Sequence, residues 1–360
     1  MSNTLGKILK VTLFGESHGR YIGATLDNMV PGILVDEEEI KRALSLRRPS
    51  FKGETNRVEE DRFEIVSGVF NSYTTGAPLT ILIENSNVKS SAYESIKDLA
   101  RPSHADYVAN EKYLGYQDYR GGGHFSGRLT SPLVALSAIV NKALERYGIK
   151  IGSHIVKCGD FEERKFADVN EDIDSLLGKK IPLVEGREED FLKVIEKVAK
   201  EGDSIGGKIE VGITNLEVGL GEPWFDSLEG KIANAMFSIG GVKGIEFGRG
   251  FEFASLKGSE ANDKFRNENG KIVTSSNNNG GINGGISNGM PVVFSLAIKP
   301  TPSISSKQET INIKNKENAE IEITGRHDPC IVRRICPVVN AVTSFVILDE
   351  LLLLHGTKDF

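Results

Sequence analysis

RPSHADYVANEKYLGYQDYRGGGHFSGRLT, residues 101–130, decides how this chain reads. Arg101, His104, Asp106, Arg120, His124, Ser126 and Arg128 crowd around the run Gly121-Gly122-Gly123, and an apolar, helix-spaced segment, 133–144, follows at once. Glycine reaches backbone conformations closed to other residues, so three in a row can turn N–H groups toward a ligand. Anion sites need such donors, backed by a helix N-terminus and a fixed arginine. A bare triple glycine reads as a surface loop. The guanidinium and imidazole groups packed into the same loop turn that reading into an anion site.

The composition sets limits around it. Length allows one large domain or two ordinary ones, and 39% apolar with 26% charged residues describes a globular protein. A net charge of −6 argues against nonspecific nucleic-acid binding, so positive charge must be local, in a cleft that steers a small polyanion. Cys158, Cys330 and Cys336 show neither CxxC nor metal-like spacing and suit a reducing cytoplasm. The N-terminus lacks the apolar run of a signal peptide. Asp349 and Glu350 interrupt the apolar C-terminal stretch, which reads as a buried helix rather than a membrane span.

Upstream of the decisive stretch, residues 8–14 alternate as a strand running into GESHG (15–19), a tight turn that presents Ser17 and His18. Adjacent residues seldom aim their side chains at each other, so a Ser–His nucleophilic pair is not expected and His18 is read as a proton donor. Residues 36–46 read as a helix stopped by Arg47-Arg48-Pro49; the arginines either complement the helix C-terminus or bind an anion. A charged loop, 52–61, precedes paired strands at 63–69 and 78–84, and 93–99 read as a helix.

Downstream, 157–178 are polar and carry no evident chemistry, and 188–200 form an amphipathic helix. A strand at 205–214, a turn at 219–223, a helix at 228–239 and a strand near Ile245 lead to an Asn/Gly-rich loop, 262–288. A strand at 291–298 exits through Pro300 and Pro302. The last basic knot is GRHDPC (325–330) with Arg333-Arg334, before an apolar helix from Val338. There is also an internal echo. Gly-Ala-Pro (76–78) and Gly-Met-Pro (289–291) each open a strand, and Arg128 and Arg333 each stand four residues before a proline and an apolar helix. Two similar halves, 8–150 and 205–355, are expected within a single domain spanning 1–360, with a charged insertion between them.

Nine segments together resemble the chorismate synthase family: GESHG (15–19), RRP (47–49), RPSHADY (101–107), RGGGHFSGR (120–128), GDSIGG (202–207), GLGEPWFD (219–226), VKGIE (242–246), KPTPSI (299–304) and GRHDPC (325–330). They run in the family's order over nearly the whole chain. The resemblance implies an α+β sandwich with helices between two antiparallel four-stranded sheets, assembled as a homotetramer. It implies a lyase that removes phosphate from 5-enolpyruvylshikimate 3-phosphate by anti-1,4-elimination, giving chorismate, the last step of the shikimate pathway. Reduced FMN is required without net redox change, and the cofactor carries the hard chemistry. Members of the family either reduce FMN themselves with NADPH or depend on an outside reductant; the lack of a separate nicotinamide domain favours the second, with NADPH entering only indirectly and an external flavin reductase as partner. Neither nucleic acid nor membrane is implied.

Carried over residue by residue, His18, His104 and Asp328 are the expected catalytic groups. Asp328 could equally cap the following helix. Substrate binding falls to Ser17, Arg47, Arg48, Arg101, Arg128 and Arg326, whose guanidinium forks suit phosphate and carboxylates. FMN contacts fall to His124, Phe125, Ser126, Gly240, Gly241, Gly284, Lys299, Pro300, Thr301, Pro302, Ser303 and Arg326. No metal is implied. Departures from the family pattern stand at Leu46, Lys52, Gly53, His124, Phe125, Gly240, Gly241, Cys336 and Asn340. A metal-dependent phosphotransferase would need a Walker-type loop or an acidic metal cluster, which the sequence lacks. A noncatalytic flavin carrier would have no use for two histidines beside five arginines.

Overall fold

The strands Thr4–Leu5 (β1), Lys10–Gly15 (β2), Tyr21–Asp27 (β3), Phe63–Ser67 (β4) and Leu79–Glu84 (β5) form one antiparallel sheet, in the spatial order β1-β2-β3-β5-β4. Alternation decides which face is buried: Leu79, Ile81 and Ile83 of β5 and Ile22, Ala24 and Leu26 of β3 point inward and are fully covered. The computed structural model describes residues 3–51, 54, 60–86, 91–323 and 328–356.

The second sheet contains Lys150–Cys158 (β6), Phe161–Glu162 (β7), Gly207–Thr214 (β8), Val242–Phe247 (β9) and Val292–Ile298 (β10), in the order β9-β10-β8-β6-β7, again antiparallel throughout. Each sheet thus has four principal strands and a two-residue edge strand, β1 or β7. The sequence reading missed β3 and β6, which lie outside every strand it assigned. The connectivities match. Taken in chain order, the principal strands stand in space as first, second, fourth, third in both sheets.

Between the sheets lie Glu37–Arg47 (α1), Thr130–Glu145 (α3), Leu228–Phe237 (α6) and Val332–His355 (α7). Helix α3 packs on β3 and β5, α7 packs on β6 and β8, and α3 and α7 pack on each other. Helix α7 begins at Val332, nearly two turns earlier than expected, and accommodates Pro337 within its first two turns. It is the one helix among the described residues long and apolar enough to cross a membrane, and it is mostly buried inside the fold. Its Asp349 is buried because its carboxylate accepts hydrogen bonds from the backbone N–H groups of Lys7, Ile8 and Leu9, at 2.8, 2.7 and 2.9 Å. Glu350 is buried against Lys231 of α6, at 2.6 Å.

The polar segment after β7 folds back over the outer face of the second sheet. Asp168 caps Val169–Leu176 (α4) by accepting from the N–H groups of Asn170 and Glu171. Its apolar side meets two glycines: a Cβ on Gly212 would stand 2.5 Å from Val169 Cγ1, and one on Gly152 would stand 3.0 Å from Ile173. Glu188–Lys200 (α5) is the amphipathic helix expected, buried at Phe191 and Ile195. Two further elements matter to the site. Asp106–Lys112 (α2) lies inside the stretch read as a loop. The hairpin Gln308–Ile311 (β11) and Asn318–Ile321 (β12) pairs by backbone hydrogen bonds with residues 98–100. The helix expected at 93–99 is reduced to one turn, Ser91–Glu94.

Candidate active site

Strand β2 ends at Gly15 with φ 99°, and the turn that follows buries Ser17 completely and His18 almost so. Contrary to expectation, the adjacent side chains do meet: Ser17 Oγ lies 3.1 Å from His18 Nδ1. The turn is held sideways, which brings the two together. The N–H of Ser17 donates to the carbonyl of Gly123 at 3.1 Å, and its Oγ donates to the carbonyl of Arg120 at 3.2 Å. The His18 ring also packs edge-on against Tyr93, with centroids 5.2 Å apart.

The glycine run explains itself by what it touches. Gly121, Gly122 and Gly123 have φ of 60°, 94° and 53°, in the left-handed region that only glycine visits freely. A Cβ on Gly121 would stand 2.1 Å from His18 Cε1, one on Gly122 3.4 Å from His104 Cε1, and one on Gly123 2.1 Å from the Asp118 carbonyl oxygen. One bare ribbon of backbone therefore lies against both imidazoles. Beside it opens a cavity of about 260 Å³, lined by His104, Arg101, Tyr93, Asp118, Gly122 and Phe125 among others.

His104 Nδ1 lies 2.9 Å from Asp106 Oδ1. Burial alone would raise the Asp106 carboxyl. The Arg101 fork, with Nε and Nη2 each at 2.7 Å, and His104 outweigh it and hold the group well below the usual carboxylate range. Lys299, arriving from β10, donates to the carbonyl of Ser103 at 2.8 Å. Burial, with the nearby Lys243 charge, depresses the Lys299 ammonium.

A second cluster forms where α1 ends between the starts of α3 and α7. Arg47 Nε donates to Thr130 Oγ1 at 2.7 Å, and its Nη2 donates to the Gly127 carbonyl. Arg48 Nε lies 3.2 Å from Asp61, whose other oxygen pairs with Arg128; Arg128 also reaches Asn85 Oδ1 at 3.1 Å. Arg334 donates to the Arg47 carbonyl at 2.9 Å and pairs with Asp328. Asp328 does not cap α7: the residue at the cap is Ile331, and no side-chain cap forms. The ion pair with Arg334 takes Oδ2 instead. Oδ1 of Asp328 is buried without a hydrogen-bond partner among the described residues. Burial pushes the Asp328 carboxyl up, and the Arg334 charge only partly opposes it.

The segment 299–303 links the clusters. Lys299 binds the Ser103 carbonyl, Thr301 Oγ1 donates to the Asp328 carbonyl at 2.8 Å, Pro300 is exposed, and Pro302 and Ser303 are half-buried. The backbone N–H of Lys299 donates to Gly241, and a Cβ on neighbouring Gly240 would meet nothing within 4 Å. His124 turns away toward β2, with Nδ1 2.8 Å from the Gly15 carbonyl. Phe125 lines the cavity, half-exposed, and Ser126 Oγ accepts from the Arg128 N–H at 3.3 Å. Gly284 sits at the tip of a short hairpin whose Gly285 packs on Glu222 and Ser227; no recorded contact joins it to the histidines. Arg326, Lys52 and Gly53 lie outside the described residues.

The sequence reading gave no role to Asp106, Glu54, Asp61 or Arg334. Their signal was present but ambiguous: a carboxylate two residues from a histidine, and acids within a loop read only as charged.

Two imidazoles against one glycine ribbon, with guanidinium groups gathered at helix N-termini, define an enzyme acting on a small phosphate-bearing molecule. The family model for chorismate synthase matches residues 9–352, and the chain belongs to that family. It is 46% identical over 356 residues to the chorismate synthase of Thermococcus gammatolerans, covering 96% of this chain and 97% of that one. It is 45% identical over 350 residues to that of Pyrococcus abyssi, with 96% and 97% covered. A crystal structure of chorismate synthase superposes with a TM-score of 0.75 at 31% identity, covering 98% of this chain and 94% of the other.

Proposed function

We propose that this chain catalyses the anti-1,4-elimination of phosphate from 5-enolpyruvylshikimate 3-phosphate to give chorismate, with reduced FMN and no net redox change. The observation that carries it is the pairing of His18 and His104 on the glycine ribbon within a chain of this family. The residues present fit the flavin: Asp328 offers an unpartnered buried oxygen, Gly240 borders open space, and Lys299 and Thr301 add polar groups on the same segment. Asp328, Lys299 to Ser303, Gly240, Gly241, Phe125, Ser126, Gly284 and Arg326 would hold it, and His124 would leave the Gly15 carbonyl to join them. When bound, reduced FMN would supply the electron density that lets phosphate leave and would take up the nonacidic ring hydrogen that follows it.

The chain's own groups do the rest. Ser17 gives its own proton to the Arg120 carbonyl and accepts from His18 Nδ1–H, so His18 as the imidazolium would carry on Nε2 the proton it gives to the leaving phosphate. His104 would tune the protonation of the reduced flavin, and Asp328, raised by burial, would serve as the acid group that works with it. Arg47, Arg48, Arg101, Arg128 and Arg326 receive the phosphate and two carboxylates, aided by Ser17. Asp61 and Asp106 hold three of these guanidinium groups in place before substrate arrives. The N-termini of α3 and α7 both meet Arg47 at the end of α1 and favour negative charge there. A cytoplasmic homotetramer supplied with reduced flavin by an external reductase completes the proposal.

The test is anaerobic: purified protein, chemically reduced FMN and the substrate, followed for chorismate absorbance and released phosphate. Both products in equal amount support the reading. Product only with NADPH and oxidised FMN assigns flavin reduction to this chain. No product from folded, flavin-binding protein overturns the proposal.

A further inference from the structure

We propose that Asp106 is a positioning residue that fixes which nitrogen of His104 works. Its carboxylate lies between two partners: the Arg101 fork, at 2.7 and 2.7 Å with a further backbone N–H of Arg101 at 3.0 Å, and His104 Nδ1 at 2.9 Å. The fork keeps Asp106 ionised, and an ionised carboxylate only accepts hydrogen bonds. The proton between Asp106 and His104 therefore belongs to Nδ1, and Nε2 is the nitrogen turned to the reaction. The opposite ring edge faces the glycine ribbon. Cε1 and Nε2 lie against Gly122, where a Cβ would stand 3.4 and 3.5 Å away, and the loop below is tied by Lys299 to Ser103.

Arg101 thereby has a task besides holding substrate anions, since losing its fork would release Asp106 and, through it, His104. The carboxylate that fixes a working imidazole's tautomer is a recurring device, because the two ring nitrogens differ only in what they touch. Other charges around the cavity, Lys97, Asp98, Asp118 and Lys314, line its wall. None of them has a recorded hydrogen bond to the His104 ring.

The kinetic part of this inference rests on the elimination reading; the tautomer part does not. In protein labelled with ¹⁵N-histidine, long-range ¹H–¹⁵N spectra report the tautomer of neutral His104, assigned by its loss in His104→Gln. The wild type is expected to carry the proton on Nδ1, and Asp106→Asn to lose that preference. With it, kcat should fall about ten- to hundredfold, more than KM rises through the loosened Arg101 fork. A wild-type proton on Nε2 overturns the proposal even if the variant fails to fold. So does a variant with unchanged tautomer and kcat, or one that raises KM alone. An Nδ1 proton in a wild-type protein that makes no chorismate removes the elimination reading and leaves the positioning role standing.

Discussion

The sheet of β2, β3, β4 and β5 and the sheet of β6, β8, β9 and β10 are wired alike, each with a helix after its second strand and another after its fourth. Counted from β6, the second region repeats the strand-and-helix order of the first. The expected insertion, with β7, α4 and α5, sits inside that half, between its first and second strands. At the same place the first half has only the turn bearing Ser17 and His18. One half spends its first connection on chemistry; the other spends it on covering a sheet face. The loop before the last helix differs too: it bears His104 and the glycine ribbon in the first half, Lys299 and Asp328 in the second. Both final helices nonetheless start at a buried arginine, Arg128 or Arg333, paired to acids of the same loop of the first half, Asp61 and Glu54.

The comparison predicts an order of effects. If proton transfer belongs to the first half, His18→Ala and His104→Ala each lower kcat by about 10²–10⁴-fold with an unchanged circular dichroism spectrum. Asp328→Asn should cost less, and the reverse ranking would move the proton work to the second half. Next come the arginines. Arg333→Met leaves Glu54 buried without its partner at 2.5 and 3.0 Å, and urea unfolding should show a loss of about 3–5 kcal/mol. Arg128→Met should cost less than Arg333→Met, because Asp61 keeps Arg48 as a charged partner at 3.2 Å. Equal losses would show that the loop grips both helices alike. Gly121→Ala, strained at φ 60° and driven into His18, should lose about 1–3 kcal/mol of stability. Gly240→Ala, in open space, should stay within about 0.5 kcal/mol.

The smallest effect is a pH slope from the second half alone. His154 on β6 is wholly buried; burial by itself would lower its pKa, yet Glu163 and Glu210, at 3.4 and 3.1 Å, raise it on balance. The folded pKa exceeds the unfolded value of about 6.5, so the stabilisation is complete below that pH. It is lost as pH rises through the folded pKa. Unfolding free energy should decline across that window in the wild type and flatten in His154→Gln; an unchanged slope in the variant would remove His154 as its source.

Much of this was legible in the chain. Alternation and glycine punctuation marked β2, β5, β8 and β10, and the motifs marked both histidines. What escaped was settled by contacts distant in sequence. Strand β6, in KIGSHIVKC, is buried on both faces and therefore does not alternate. Ser17 and His18 face each other only because Gly123 and Arg120, more than a hundred residues on, hold the turn. The hydrogen bonds of Arg334 depend on where α1 ends.

Helix α7 follows every strand of both sheets in the chain, and each sheet buries its inner face against the helical layer it completes. On the ribosome, the first sheet is made some 250 residues before that helix emerges. Helix α3 can cover its apolar face as soon as residue 145 is made, but the side of α3 that meets α7 must wait through synthesis, as must the N-terminal segment for Asp349 to clasp it. A chain stopped short of α7 would be an exposed half-sandwich and a natural client for chaperones.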